Sequence, residues 1–213
     1  MLAAGRGERL RPLTDRLPKA LVEVHGKSLL EHHLEKLGEA GIEDVVINLG
    51  WHGEQIKQRI GRGRAFGLRV AYSDEGENVL ETGGGILKAL PLLGADPFLV
   101  MNADIYTAMP VPDISLDEQA LGHLVLVPSP AYRDAGDFVL VDGQVRNAPQ
   151  ATLTFAGVAV YRPELFAACK PGRFSVVPLL RQAADDGRLQ GSLYKGLWAD
   201  VGTPERLKAA RAE

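Results

Sequence analysis

The first two dozen residues place two glycines and several cations within a few turns of chain. An apolar run ends at Gly5, Gly7 follows two residues later, and Arg9 and Lys19 stand close behind. Glycine lets the main chain turn with positive φ and lets amide N–H groups approach a phosphate without a Cβ in the way, and cations add charge-assisted hydrogen bonds. The stretch therefore predicts an anion site, which we interpret as a nucleoside triphosphate loop.

Two better known phosphate loops do not fit this stretch. A Walker loop has the form G-x-x-x-x-G-K-[ST], but the Gly-Lys-Ser at 26–28 has Leu21 where the first glycine should stand. A dinucleotide fingerprint, G-x-G-x-x-G, fails because Leu10 occupies the place of its third glycine. The two glycines alone would favour an ordinary strand, turn and helix. The cations and the Pro-Leu-Thr at 12–14 make the whole stretch more specific.

Two aspartates follow or interrupt apolar runs at distant points of the chain. Asp104 comes just after the run at 98–101 and so emerges at a strand end, where ligands of an open α/β sheet bind. Asp200 has apolar neighbours, and a largely buried aspartate needs a cation partner. Near a triphosphate, carboxylates are hard oxygen ligands for Mg²⁺. Taken alone, Asp104 is explained equally well as a turn or capping residue.

Together these motifs resemble the signature of the sugar-phosphate nucleotidylyltransferases. Residues 2–28 follow that family's L-A-A-G-x-G-x-R-x-x-P-L-T pattern and its later P-K, with Ala20, Glu23 and Ser28 where proline is usual. Further matches follow in family order at 81–85, 102–104, 154–157 and 198–203. The resemblance implies attack by a sugar 1-phosphate on the α-phosphorus of a nucleoside triphosphate, with release of pyrophosphate.

Within that family, the stretches at 81–85 and 154–157 and the short length are most similar to enzymes that transfer uridylyl from UTP to N-acetylmuramate 1-phosphate in peptidoglycan recycling. Alternatives are a guanylyl- or thymidylyltransferase acting on a hexose 1-phosphate and a non-catalytic nucleotide-sugar sensor. A retaining glycosyltransferase is a further option, weakened because the Asn-Ala-Asp at 102–104 is not a paired-aspartate metal motif.

The resemblance also implies roles for individual residues. The catalytic set would grip the β- and γ-phosphates and share Mg²⁺: Arg9 and Lys19 for the phosphates, Asp104 and Asp200 for the metal. Nucleotide contacts would come from Ala3, Ala4, Gly5, Gly7, Glu8, Arg9, Lys19, Gly76 and Gly83. Sugar contacts would come from Asn102, Asp137, Thr154 and Gly157. A phosphate monoester is ionised near neutral pH, so no histidine is needed as a base.

One departure from the family concerns the sugar. Many relatives hold the sugar phosphate with a Glu-Lys-Pro motif, and residues 127–130 show nothing of this kind. Sugar binding must therefore differ from that of the glucose and mannose enzymes. An acidic, N-acetylated sugar would need an extra cation, which either Arg133 or Arg146 could supply.

The elements that position these residues change in character along the chain. A capping box, Ser28-x-x-Glu31, opens a helix, and strands at 44–49, 68–73 and 97–101 alternate with helices at 53–60 and 82–93. Beyond residue 122, strands at 124–127, 138–141 and 151–161 dominate, with an Asp142-Gly143 hairpin turn. Further helices are predicted at 163–169 and 176–186, and a last one is capped by Thr203.

These patterns, with the resemblance, predict an α/β fold. We expect a three-layer αβα arrangement around a mostly parallel mixed sheet, Rossmann-like and of the nucleotide-diphospho-sugar transferase type, with a more antiparallel C-terminal half. We expect one domain over 1–213, in which 1–121 binds the nucleotide and 122–213 binds the sugar. Since four residues precede the glycine turn, the first strand is expected to need a few more residues upstream.

Composition restricts the class of protein. The chain has 213 residues, 46% of them hydrophobic, and a net charge of −3, which argues against a nucleic-acid binder. No apolar run approaches the roughly 20 residues that cross a bilayer. Cys169 is the single cysteine, which suits the reducing cytoplasm. We expect small-molecule partners, a nucleoside triphosphate and a sugar 1-phosphate, without nucleic acid or membrane, and a monomer or weak homodimer.

Overall fold

Strands and helices alternate in the first half of the chain, and strands dominate the second. The computed structural model describes residues 1–76 and 78–213. The helices are α1 (Leu29–Glu39), α2 (Gly53–Ile60), α3 (Glu81–Leu93), α4 (Val177–Asp185) and α5 (Pro204–Ala210). The strands are β1 (Glu23–Val24), β2 (Lys27–Ser28), β3 (Asp44–Leu49), β4 (Arg69–Asp74), β5 (Phe98–Met101), β6 (Ile105–Thr107), β7 (Gly122–Pro128), β8 (Val139–Val141), β9 (Gln144–Arg146), β10 (Leu153–Tyr161), β11 (Leu189–Leu193) and β12 (Trp198–Asp200).

A mixed sheet runs through the molecule. β3 pairs in parallel with β4, and Leu2 forms parallel bridges to Asn48 and Asn102, so it joins this pair to the end of β5. On the other side of β5 the order is β10, β7, β11, β9 and β8, and only β7 and β11 are parallel neighbours there. The sheet is parallel near the amino terminus and more antiparallel beyond β5, which confirms the predicted α/β fold class.

Helices cover both faces of this sheet. In β7, Val125 and Val127 belong to one apolar core and Leu124 and Leu126 to another, because successive side chains of a strand point to opposite faces. The first core is completed by leucines of α1 and isoleucines of α2. The second core takes up the buried residues of α4 and Ile86 of α3. The predicted three layers follow from this alternation.

Helix α1 begins at the predicted capping box. The Glu31 N–H donates to Ser28 Oγ at 3.2 Å, and the Ser28 N–H donates to the Glu31 carboxylate at 2.9 Å. Leu30, Leu34 and Leu37 lie on the buried face, as their helical spacing predicts. The start of the helix and the face that it buries were therefore predictable from local sequence.

The same helix holds β6 in place. The buried His33 ring bonds through Nε2 to the carbonyl oxygen of Ile105 at 2.8 Å, and the Lys36 ammonium donates to the carbonyl oxygen of Thr107. Ile105 directly follows Asp104, so these bonds fix the strand that begins beside that carboxylate. The local sequence of α1 gives no sign of this contact.

Strands β6 and β12 bring the two predicted metal-binding aspartates side by side. In the antiparallel pair, Asp200 lies opposite Ile105, and the Val201 N–H donates to the Asp104 carbonyl oxygen at 3.0 Å. Two aspartates that are far apart in the chain therefore lie together at the same end of one short two-stranded ladder.

The remaining predicted elements are the hairpin between β8 and β9 and a helix after β10. Asp142 and Gly143 both have positive φ, 49° and 76°, and close the predicted hairpin between β8 and β9. The helix predicted at 163–169 is only a short 3-10 turn, Pro163–Phe166, because Pro171 and Gly172 follow closely and prevent a longer helix. In the described part of the chain, no helix combines the length and apolarity that a membrane span requires.

Burial lowers the pKa of His33 to about 4, although the bond to Ile105 favours the charged ring. The unfolded state therefore takes up this proton first as the pH falls. We expect His33 to reduce the free energy of unfolding by roughly 2–3 kcal/mol between pH 6.5 and pH 4, and to contribute almost no slope above about pH 8. Urea unfolding across this range should show a shallower pH dependence for His33→Gln than for the wild type. Parallel curves would contradict the assignment.

Candidate active site

Hydrogen bonds and close contacts fix the conformation of the glycine loop. Gly7 has φ 65° in the left-handed region, and a Cβ there would lie 2.9 Å from Thr14 Cγ2 and 3.1 Å from Lys19 Cβ. Thr14 Oγ1 donates to the Gly7 carbonyl oxygen at 2.8 Å, and Trp51 Nε1 donates to the Thr14 carbonyl oxygen at 3.0 Å. A glycine is thus required at position 7 both for its backbone conformation and for the close approach of Thr14 and Lys19.

A small apolar cluster fastens this loop to the C-terminal part of the chain. Leu10 is buried together with Val201 and Leu207, which come from the end of β12 and from α5. This contact places Arg9 beside Gly202, where a Cβ would be 3.0 Å from Arg9 Nη2. The loop and Asp200 are therefore neighbours in space.

Three adjoining cavities open around Asp104, which borders all of them. The first has a volume of about 180 Å³, and Ala3, Ala4 and Gly5 are among the residues that line it. At its wall lies a buried polar pair, in which Asn48 Nδ2 donates to Glu75 Oε1 at 2.9 Å. The other Glu75 oxygen accepts from the Leu80 N–H at 2.7 Å. The sequence did not predict a role for Asn48 or Glu75, because a polar residue near the end of a strand gives no sign of the distant residue that it contacts.

The second cavity, of about 780 Å³, is strongly basic. Among its described lining residues, Arg6, Arg9, Lys19 and Arg173 are cations, against the carboxylates of Glu8 and Asp104. Arg6 lines this cavity, and its guanidinium carbon lies 5.3 Å from the centre of the Trp51 ring. Arg173 comes from a distant part of the chain and pairs with Glu81 at 2.9 Å. Such a cavity suits a polyphosphate.

The third cavity, of about 260 Å³, brings together all four predicted sugar residues: Asn102, Asp137, Thr154 and Gly157. Gly157 has φ 76° at a bulge of β10, and a Cβ there would lie 2.7 Å from Asn102 Nδ2. Arg9, Asp104 and Asp200 border the same cavity. The predicted phosphate, metal and sugar residues therefore meet in one place.

Both aspartates of this site face a cation. Asp104 accepts from the Lys19 ammonium, and Asp200 Oδ2 accepts from Arg206 Nη1 at 2.5 Å. Within residues 1–76 and 78–213, no three His, Cys, Asp or Glu side chains come together as a metal cage. Two carboxylates at the edge of a polyphosphate cavity nonetheless fit Mg²⁺, which takes one or two carboxylates and completes its coordination with phosphate oxygens and water.

The structure differs from the prediction at two glycines. Neither Gly76 nor Gly83 is among the described residues that line the three cavities. Gly83 is buried, its N–H donates to the Phe174 carbonyl oxygen at 2.9 Å, and a Cβ would lie 2.4 Å from the Phe174 ring. Glu81 and Thr82 face the first cavity instead. The glycine at 83 allows close packing of α3, a requirement that sequence alone does not distinguish from contact with a base.

Comparisons with known proteins agree with this geometry. Residues 1–138 match the model of the nucleotidyl transferase family. An N-acetylmuramate alpha-1-phosphate uridylyltransferase of Neisseria meningitidis is 47% identical, over all of this chain and 96% of the relative. A protein of the same description from Caulobacter vibrioides is 39% identical, over all of this chain and 94% of the relative. A UDP-glucose pyrophosphorylase solved with UDP-glucose has the same fold, with TM-score 0.77, 21% identity, and coverage of 99% and 95% of the two chains.

Gly202 offers a test of how tightly the site is packed. A Cβ at this position would lie 2.9 Å from Asp200 Oδ1, 3.0 Å from Arg9 Nη2 and 3.1 Å from Arg206 Nη2. These atoms are the ends of flexible side chains, so we expect Gly202→Ala to fold with nearly unchanged stability. Its kcat should fall by about 10-fold, because Asp200 and Arg9 must move by a few tenths of an ångström and small misplacements of positioning groups are costly. An unchanged kcat would show that the three side chains tolerate displacement.

Proposed function

This chain belongs to the nucleotidyl transferase family, and we propose that it transfers uridylyl from UTP to N-acetylmuramate 1-phosphate, giving UDP-N-acetylmuramate and pyrophosphate. Full-length similarity to two proteins of that description supports the substrate pair. The observation that carries the reaction is the meeting of Asp104 and Asp200 at the third cavity, where Asp104 also borders the second. In the cell, this reaction serves peptidoglycan recycling.

The three cavities accommodate the parts of the two substrates in order. The first cavity takes the base against the backbone of Ala3 and Ala4, and the second takes the triphosphate. The sugar occupies the third cavity, against Asp137 and Thr154. The α-phosphorus then lies near Asp104, which borders all three cavities.

Arg9 and Lys19 provide positive charge on the side where pyrophosphate leaves. Both line the second cavity, and Lys19 is already within bonding distance of Asp104. Their charge offsets the negative charge that develops on the leaving group, which is worth more in a preorganised, partly dry site than in water. Gly5 and Gly7 line the same cavity, and glycine lets backbone N–H groups approach a phosphate closely.

Members of this family act on a nucleotide and a sugar phosphate and generally use a divalent metal. We propose that the metal is Mg²⁺ and that Asp104 and Asp200 hold it. When bound, Mg²⁺ neutralises charge on the α-phosphate and the sugar phosphate. Arg206 holds Asp200 at 2.5 Å, and the ladder of β6 and β12 fixes the spacing of the two carboxylates.

The chain needs no nucleophile or general base for this chemistry. The attacking oxygen belongs to a phosphate monoester that is largely ionised near neutral pH. Burial lowers the pKa of His33, and its Nε2 bonds to a backbone carbonyl, so this histidine has a structural role. The protein contributes orientation and charge, which are the main requirements of phosphoryl-type transfer.

Phosphorylated substrates of this charge do not cross an apolar bilayer unaided, which favours the cytoplasm as the place of reaction. We propose small-molecule partners without nucleic acid or membrane, and a monomer or weak homodimer. The halves 1–121 and 122–213 are proposed as nucleotide and sugar halves, although Arg9, Asn102 and Asp104 of the first half also border the third cavity.

A panel of substrates tests the proposed reaction. Pyrophosphate release should be measured for UTP, GTP and dTTP, each with N-acetylmuramate, glucose and mannose 1-phosphate. We expect UTP with N-acetylmuramate 1-phosphate to exceed every other pair in kcat/KM by at least about tenfold. Preferred turnover of GTP with mannose 1-phosphate would replace the proposal by a guanylyltransferase. Binding without pyrophosphate release would indicate a sensor.

Removing one negative charge tests the two aspartates. Asp104→Asn and Asp200→Asn keep the size of the side chain but weaken binding of a hard cation, so each should lower kcat by about 100- to 1000-fold or more. Asp96→Asn, at an exposed position outside the cavities, is the matched control and should keep full activity. Urea unfolding should show that all three variants fold. Full turnover of either site variant would remove that aspartate from the metal site.

A further inference from the structure

Arg133 lines the third cavity and bonds to the protein through one of its three guanidinium nitrogens. Arg133 Nη1 donates to Asp137 Oδ2 at 2.8 Å and to Thr154 Oγ1 at 3.0 Å. Both partners are themselves held. Asp137 Oδ2 accepts from the Phe155 N–H at 3.0 Å, and the buried Thr154 hydroxyl lies 3.0 Å from Ser129 Oγ. One nitrogen of the guanidinium is therefore anchored to the wall of the cavity.

The opposite edge of the same guanidinium is free to bind a ligand. Among the described residues, no hydrogen bond joins Arg133 Nε or Nη2 to the protein, and 39% of the side chain is exposed. A guanidinium edge with two parallel N–H groups matches a carboxylate in bidentate geometry. Because Nη1 is already anchored, the Arg133 side chain loses less conformational freedom when a ligand binds, and the free-energy cost of binding is smaller.

Apolar surface lies beside this edge. Tyr132 and Val177 line the same cavity and are 53% and 42% exposed, although both are large apolar side chains. The Tyr132 ring also lies against the Arg206 guanidinium, 4.6 Å from its carbon. Apolar surface beside the free guanidinium edge suits a ligand that has apolar groups next to its charge. N-acetylmuramate has this combination, since its lactyl ether carries a methyl group and a carboxylate and its acetamido group carries another methyl.

We infer that Arg133 selects the acidic sugar by binding the carboxylate of its lactyl group through Nε and Nη2. The inference rests on the proposed function and adds the residue that determines sugar specificity. The Arg133 and Asp137 side chains together are neutral. Asp104 and Asp200 of the same cavity are each paired with a cation, Lys19 and Arg206, and Arg9 adds positive charge, so a further carboxylate can be accommodated. Arg146, the other cation that the sequence offered, lies exposed on β9 and is not among the described residues of this cavity.

The test compares two sugars that differ by the lactyl group. Initial rates with UTP should be measured for N-acetylmuramate 1-phosphate and N-acetylglucosamine 1-phosphate, using wild type, Arg133→Gln, Arg133→Lys and Arg146→Gln. For Arg133→Gln we expect kcat/KM to fall about 30- to 100-fold with the acidic sugar, mainly through KM, because one charged bidentate contact is lost. With the neutral sugar it should change by less than about threefold. Arg133→Lys should recover part of the loss, and Arg146→Gln should match the wild type.

The outcomes separate this inference from the proposed function. If wild type does not release pyrophosphate from UTP with N-acetylmuramate 1-phosphate, the proposed function fails. If wild type does so but Arg133→Gln lowers both sugars equally, Arg133 only stabilises the wall of the cavity and the inference is overturned. A selective loss in Arg146→Gln instead would assign the carboxylate to that arginine and would also overturn it. Urea unfolding of each variant keeps misfolding from being mistaken for either result.

Discussion

The structure depends on bringing two carboxylates from distant parts of the chain to one short ladder of strands. Like charges close together are unfavourable unless cations lie beside them. Here Lys19 faces Asp104 and Arg206 faces Asp200. The pairing of β6 with β12 sets the separation of the aspartates, and the bonds from His33 and Lys36 of α1 hold β6 against the rest of the fold. This arrangement supports the proposed site for a divalent cation, because the fold and the two ion pairs hold both carboxylates in position.

The glycine loop completes the site because it is fastened to the same region. The buried cluster of Leu10, Val201 and Leu207 ties the loop to the end of β12, so that Arg9 and Asp200 border one cavity. Positive charge is concentrated in the second cavity, and hydrogen-bonding side chains with some apolar surface are concentrated in the third. This division fits the two proposed substrates, of which one is a polyphosphate and the other a sugar phosphate. Catalysis in such a site comes from orientation and preorganised charge.

The sequence predicted those features that local patterns determine. The capping box of α1, the hairpin at Asp142 and Gly143 and the glycine at position 7 are encoded by neighbouring residues, and the structure confirms them. The residues that the sequence did not reveal depend on contacts between distant segments. Arg206 on Asp200, Arg173 on Glu81, and the pair of Asn48 with Glu75 are of this kind. The role of Gly83 is a similar case, since sequence alone does not tell whether a glycine approaches a ligand or, as in this structure, the Phe174 ring.

The most direct measurement is anomalous diffraction from crystals of the protein grown with UDP-N-acetylmuramate and Mn²⁺ in place of Mg²⁺. We expect one metal peak between the carboxylates of Asp104 and Asp200, within about 2.0–2.3 Å of an oxygen of each and in contact with the nucleotide phosphates. A metal ion bound by only one of the two aspartates, or by phosphate oxygens alone, would contradict a metal site shared by Asp104 and Asp200.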